Sequence, residues 1–189
     1  MMSGSEKKMP EALDPVLAET LEMLALKVRT ASRSGAVIQL SKVWPGSENE
    51  FIGLSQVQTR TEFRDIKLIG ESGRAYVYSE LHMTRSYAET AALACNTDVC
   101  HIIAETVRRD SRTYPRPTPV AVFEAPPFLL SRDTISKAVE EISGIRTYSD
   151  ICLLRTSDES LFLYSSLHMN PGHAQSVAEW IAVGQLQNP

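Results

Sequence analysis

The strongest constraint on this 189-residue chain is a sequence that occurs twice. Residues 74–83 (RAYVYSELHM) align with residues 160–169 (SLFLYSSLHM), and five of the ten positions are identical. The shared core is Tyr-Ser-x-Leu-His-Met. The match continues downstream, where Ala88 to Ala92 faces Ala174 to Ala178. Upstream, Phe63-Arg-Asp-Ile66 faces Tyr148-Ser-Asp-Ile151, with one extra residue in the second copy. That extra residue falls in a turn, where insertions are tolerated. Two copies are too few for a solenoid. The expected architecture is a pseudo-symmetric α+β fold, with duplicated β-hairpin–helix units in a largely antiparallel sheet and helices covering one face.

Local signals predict the elements around the repeat. Asp14-Pro15 suits a helix start, and Leu17, Leu21, Leu24 and Val28 make one apolar stripe to about Thr30. Residues 36–44 fit a short helix or a strand. Ile66 and Leu68, then Tyr76 and Tyr78, alternate as a hairpin about Glu71-Ser72-Gly73. A helix is expected from Thr84, broken near Asn96, and a second one runs from Thr97 or Asp98 to about Arg109. Pro115, Pro117 and Pro119 forbid helix and suggest the connection between halves. A strand is predicted at 120–124, and a helix from Ser131 ends at Gly144. A hairpin turns about Ser157-Asp158. Asn170-Pro171 caps a last helix with Val177, Trp180 and Ile181 on its buried side. The expected organisation is a tail over residues 1–12 and one α+β domain over 13–187, built of halves at about 51–112 and 118–185.

Composition narrows the function classes. A net charge of −4 argues against a chain whose main task is neutralising phosphate backbones. Three scattered cysteines do not make a secreted disulfide scaffold, and the polar N-terminus shows no secretory signal. Apolar runs stay under ten residues, too short to cross a bilayer. A cytoplasmic location is expected, without membrane association.

Few polar residues suggest chemistry. His82 and His168 stand at the two strand-to-helix junctions, each two residues before its helix cap. A neutral imidazole there could ligate a metal or act as a base, but one histidine per copy completes no site unless the two share a pocket. Tyr78 and Tyr164, four residues earlier, could bond a ligand; aromatics on half-buried strands usually pack in a core. Cys95, Cys100 and His101 match no zinc or iron–sulfur spacing, so no metal is expected. Arg108, Arg109, Arg112 and Arg116 form a basic cluster that suits either a solvated helix end or an acidic partner. No nucleotide-loop, nucleophile-elbow or zinc-protease motif occurs, and no cofactor is implied.

Val57-Gln-Thr-Arg-Thr61, Tyr76-Val-Tyr-Ser79 and Val107-Arg-Arg-Asp-Ser-Arg112, with the proline-rich stretch that follows, resemble the YdhW-type family of bacterial proteins. The resemblance spans roughly residues 50 to 185. It implies a component of an oxidoreductase system, encoded beside a tungsten- or molybdenum-type enzyme. It carries no functional residues over. The chain lacks the cysteine clusters that would hold an electron-transfer centre. The function expected is therefore a non-catalytic accessory or interaction protein with a protein partner, an oxidoreductase subunit being the class implied. The alternative is a small-molecule-binding domain or enzyme using His82 and His168. Nucleic-acid binding through the arginines ranks third, and homo-oligomerisation is left open.

Overall fold

Helix α1 (Pro15–Arg33) forms where the leucine stripe demands it, and buries Leu21, Leu24, Ala25, Val28 and Ser32 on one face. The fold is that of a computed structural model, which describes residues 15–47, 61–70 and 74–184. The N-terminal tail, the Asp14 cap and the turn at 71–73 lie outside the described residues. The backbone divides into two compact units, Met1–Ala88 and Glu89–Pro189.

In the first unit, the ambiguous stretch after α1 becomes strand β1 (Ile38–Gln39) followed by a 3-10 turn at Leu40–Lys42. Strands β2 (Ile66–Ile69) and β3 (Tyr76–Ser79) pair antiparallel with Ile66 opposite Ser79, and the sheet order is β1-β3-β2. Val77, Ile66 and Ala75 pack with Leu40, Trp44 and the α1 stripe in one core cluster. Tyr78 points to the other face and is also buried. Helix α2 (Arg85–Ala94) follows, its last six residues falling in the second unit.

The second unit runs through the same order. Helix α3 (Val99–Thr113) is capped by Asp98, whose carboxylate accepts from the His101 N–H. Strand β4 (Thr118–Pro119) leads into a 3-10 segment at Val120–Glu124. Helix α4 (Arg132–Gly144), capped by Ser131, is an addition with no counterpart among the described residues of the first unit. Strands β5 (Ile151–Arg155) and β6 (Leu161–Ser165) pair with Ile151 opposite Ser165, in the order β4-β6-β5. Helix α5 (Pro171–Glu179) is capped by Asn170.

The α+β class is as expected from the sequence. The strands, however, form two three-stranded antiparallel sheets rather than one. In the second unit helices cover both faces: Leu163 packs with α3 and α4, while Tyr164 packs with Met169 and Ala174. The reason is the continuous apolar run Phe162-Leu163-Tyr164, which leaves neither face polar. Residues 120–124 are 3-10 helix and not strand; the ladder ends at Pro119, and Phe123 turns inward. The proline-rich stretch joins α3 to β4 inside the second unit, and the first-half range 51–112 read from the sequence crosses the unit boundary. On α5 the buried residues are Ala174 and Ala178, whereas Trp180 is 60% exposed. Four-residue spacing carries the alanines down one side, and the chain widens to a π turn at Trp180–Gly184.

Candidate functional site

Two sets of polar residues recur at matching places, and only one of them is spent on holding the fold. The first set is a latch. Arg29 on α1 donates Nε and Nη2 to the two oxygens of Asp65 at 3.0 and 2.6 Å, and Nη2 also reaches the Glu62 carbonyl. The Ser79 hydroxyl donates to Asp65 at 2.5 Å, and the Ser79 N–H donates to the Ser32 hydroxyl at 2.9 Å. In the second unit Arg108 donates to Asp150 at 3.0 and 2.5 Å and to the Thr147 carbonyl. Ser165 donates its hydroxyl to Asp150, and its N–H to the Ser111 hydroxyl. Each latch ties its helix, the residue before its hairpin and the end of its central strand into one bidentate network.

Electrostatics in the latches follow. The hydrogen bonds from Arg108 hold Asp150 below the usual carboxylate range against the opposing effect of burial, with Ser165 adding to the shift. At Asp65 burial is the larger single influence and pushes upward, but Arg29 and Ser79 together outweigh it and the carboxyl ends lowered. Arg108, half-buried over the Tyr148 ring and paired also with Glu105, is fully committed to structure. Arg109 lies 3.9 Å from Asp110, and Arg116 stacks on Tyr114. The predicted basic cluster is therefore not one surface feature: Arg108 serves the latch, while Arg112 is exposed.

The second set is the turn after each central strand. In both units the Tyr, Ser and Met of the repeated motif are buried, and the Leu-His pair is exposed. Leu81 is 68% exposed and Leu167 is 70% exposed. The turns are closed by backbone bonds from residues 82 and 83 to the Ser79 carbonyl, and from 168 and 169 to that of Ser165. None of these bonds needs a particular side chain at the Leu or His positions.

His82 lines an open pocket of about 360 Å³ together with Ser32, Arg33, Gly35, Met83, Thr84 and Tyr87. Gly35 has a positive φ of 80°, and a Cβ there would come 2.9 Å from the Tyr87 hydroxyl, so its absence keeps that side open. All the lining residues belong to the first unit; His168 is not among them, and each histidine stands in its own unit. Tyr78 and Tyr164 do not join the pocket. They are 1% and 5% exposed, with burial and the neighbouring Cys152 raising the Tyr164 hydroxyl. Cys100 is buried, its thiol raised by burial and then by Glu141, to which it donates; Cys95 is exposed. No cluster of metal-ligating residues occurs among the described residues.

The latch could have been found in the sequence. Arg29-Thr-Ala-Ser32-Arg33 and Arg108-Arg-Asp-Ser111-Arg112 share Arg-x-x-Ser-Arg, and Asp65 and Asp150 already align upstream of the two hairpins.

A family model described as the YdhW C-terminal domain matches residues 97–186. The chain is 31% identical over 176 residues to the uncharacterized protein YdhW of Escherichia coli (strain K12), covering 90% of this chain and 82% of that protein. No solved structure matches it.

Proposed function

The chain belongs to the YdhW family, and we propose that it acts there as a non-catalytic accessory protein that docks on a protein partner through its two Leu-His turns. One observation carries this reading: a bulky apolar side chain is left in solvent at the same turn of both units, between the buried Ser and Met of the motif. A single exposed leucine needs no explanation. Two at matching positions, beside matching histidines and without a fold requirement, argue for a shared surface duty. Related halves with one turn each give one chain two contact points of the same chemistry. The resemblance set out above supplies the partner class, a subunit of a bacterial oxidoreductase. No helix among the described residues is long and apolar enough to cross a membrane.

The test is a tagged pull-down from the native host, read by mass spectrometry, with the wild-type chain beside a Leu81→Ser/Leu167→Ser double variant. The wild type is expected to recover an oxidoreductase subunit in near-equal amount, and the double variant to lose it. Because both positions are exposed, the variant's unfolding midpoint should shift by no more than the equivalent of about 0.5 kcal/mol per site. Undiminished recovery by the variant would move the docking surface elsewhere on the chain. A second reading, ligand binding at His82, is favoured by the pocket in the first unit.

A further inference from the structure

The geometry points to an oxyanion site in the first unit: we propose that the pocket of Arg33, His82, Thr84 and Tyr87 binds the phosphate group of a small molecule. Arg29, Arg108, Arg132 and Arg155 all face carboxylates. Arg33 has no such partner among the described residues, and neither the His82 ring nor the Tyr87 hydroxyl is bonded to one. These three groups line one concavity with Ser32 and Thr84, and no aspartate or glutamate is among the lining residues. Ser32 and Thr84 are already engaged as acceptors, from Ser79 N–H and Tyr87 N–H respectively. Accepting leaves each of those hydroxyls its own proton, so the free donors are a guanidinium fork, an imidazole N–H, a phenol and the Ser32 and Thr84 hydroxyls. That is more donor capacity than the two oxygens of a carboxylate use, and it suits the three terminal oxygens of a phosphate. The volume, about 360 Å³, leaves room for a small organic group beyond the phosphate.

A second observation is independent of the pocket. Arg112 and His168 occupy the matching positions of the second unit, both exposed and both outside the latch. The same pair of donors is therefore kept twice where neither copy needs it for folding. Tyr114 stands where the first unit has Gly35, so the first unit alone has the opening that a glycine provides.

The experiment is an amide-resolved NMR titration of the full chain with inorganic phosphate, at constant ionic strength set by chloride. Saturable shifts are expected at residues 32–35 and 82–87. Arg33→Gln and His82→Gln should each weaken binding by roughly tenfold, the loss of one charged or strong hydrogen bond. Both positions are exposed, so the remaining amide spectrum should stay unchanged and report an intact fold. Shifts that never saturate, saturation by acetate or succinate but not phosphate, or equal binding by both variants would each overturn the proposal. Failure here leaves the docking proposal standing, since its variants alter Leu81 and Leu167 and its readout is partner recovery.

Discussion

Replacing Asp150 with alanine is expected to destabilise the second unit by about 3–5 kcal/mol, the cost typical of breaking a buried ion pair from one side. Asp150 is 8% exposed, and it accepts from Arg108 twice and from the Ser165 hydroxyl. Without it the Arg108 guanidinium keeps Glu105 and the Thr147 carbonyl but loses its bidentate partner in a site that water reaches poorly. The Ser165 hydroxyl loses its acceptor as well, at a buried strand end. Equilibrium urea unfolding of the chain measures the loss, and hydrogen exchange places it. Asp150→Asn should fall between, because an amide oxygen can still accept from Ser165 while the charge is gone. Asp65→Ala should cost less, since Arg29 is one-third exposed and water screens what remains.

The same carboxylate sets a pH dependence whose sign is fixed by the direction of its shift. Asp150 titrates lower in the folded chain than in the unfolded one, because Arg108 favours the ionised form. Its contribution is therefore fully present above the unfolded value of about 3.9 and is lost as pH falls through the lower folded value. Asp65 acts in the same direction. Urea midpoints for wild type and Asp150→Asn should run parallel from pH 7 to about pH 5 and converge below about pH 4. A gap that does not narrow at all below about pH 4 would show that the aspartate acts through packing and not through its charge.

Elements governed by local chemistry were legible in the sequence. The caps at Asp98, Ser131 and Asn170 fall where side-chain oxygens meet free helical N–H groups, a rule that spans three residues. The two hairpins were legible through alternation, and the repeated motif through identity. The latch was legible only in part: the two Arg-x-x-Ser-Arg copies and the aligned Asp65 and Asp150 stand in the sequence, but Arg29 and Arg108 bond aspartates 36 and 42 residues away, and nothing near an arginine says which carboxylate it will meet. Trp180 shows the converse failure. A large aromatic at helical spacing suggests a core position, yet two alanines hold the buried side of α5, and Trp180 stays in solvent. For the site, the histidines were visible as a pair, whereas the pocket depends on Arg33 and Gly35, which approach His82 only in the folded unit.

Phe123→Ala is expected to cost about 3–5 kcal/mol, the range for truncating a fully buried phenylalanine and leaving a cavity. Phe123 has no exposed surface and packs in one cluster with Val107, Ile135, Ile142 and Leu163, contributed by α3, α4 and β6. Its ring lies 5.1 Å from that of Phe128 at a 57° tilt, an edge-biased geometry that adds to simple burial. Pro119 ends the β4 ladder, and the 3-10 turn that follows swings residue 123 between two helices, which is why a stretch resembling a β-strand supplies the pivot of a helical layer. Val122, one residue earlier and 38% exposed, is the built-in control, and Val122→Ala should cost under about 1 kcal/mol. Urea unfolding of both variants decides the matter. Equal losses at 122 and 123 would mean that the segment packs as an extended strand, and the helical layer above β6 would have to be redrawn.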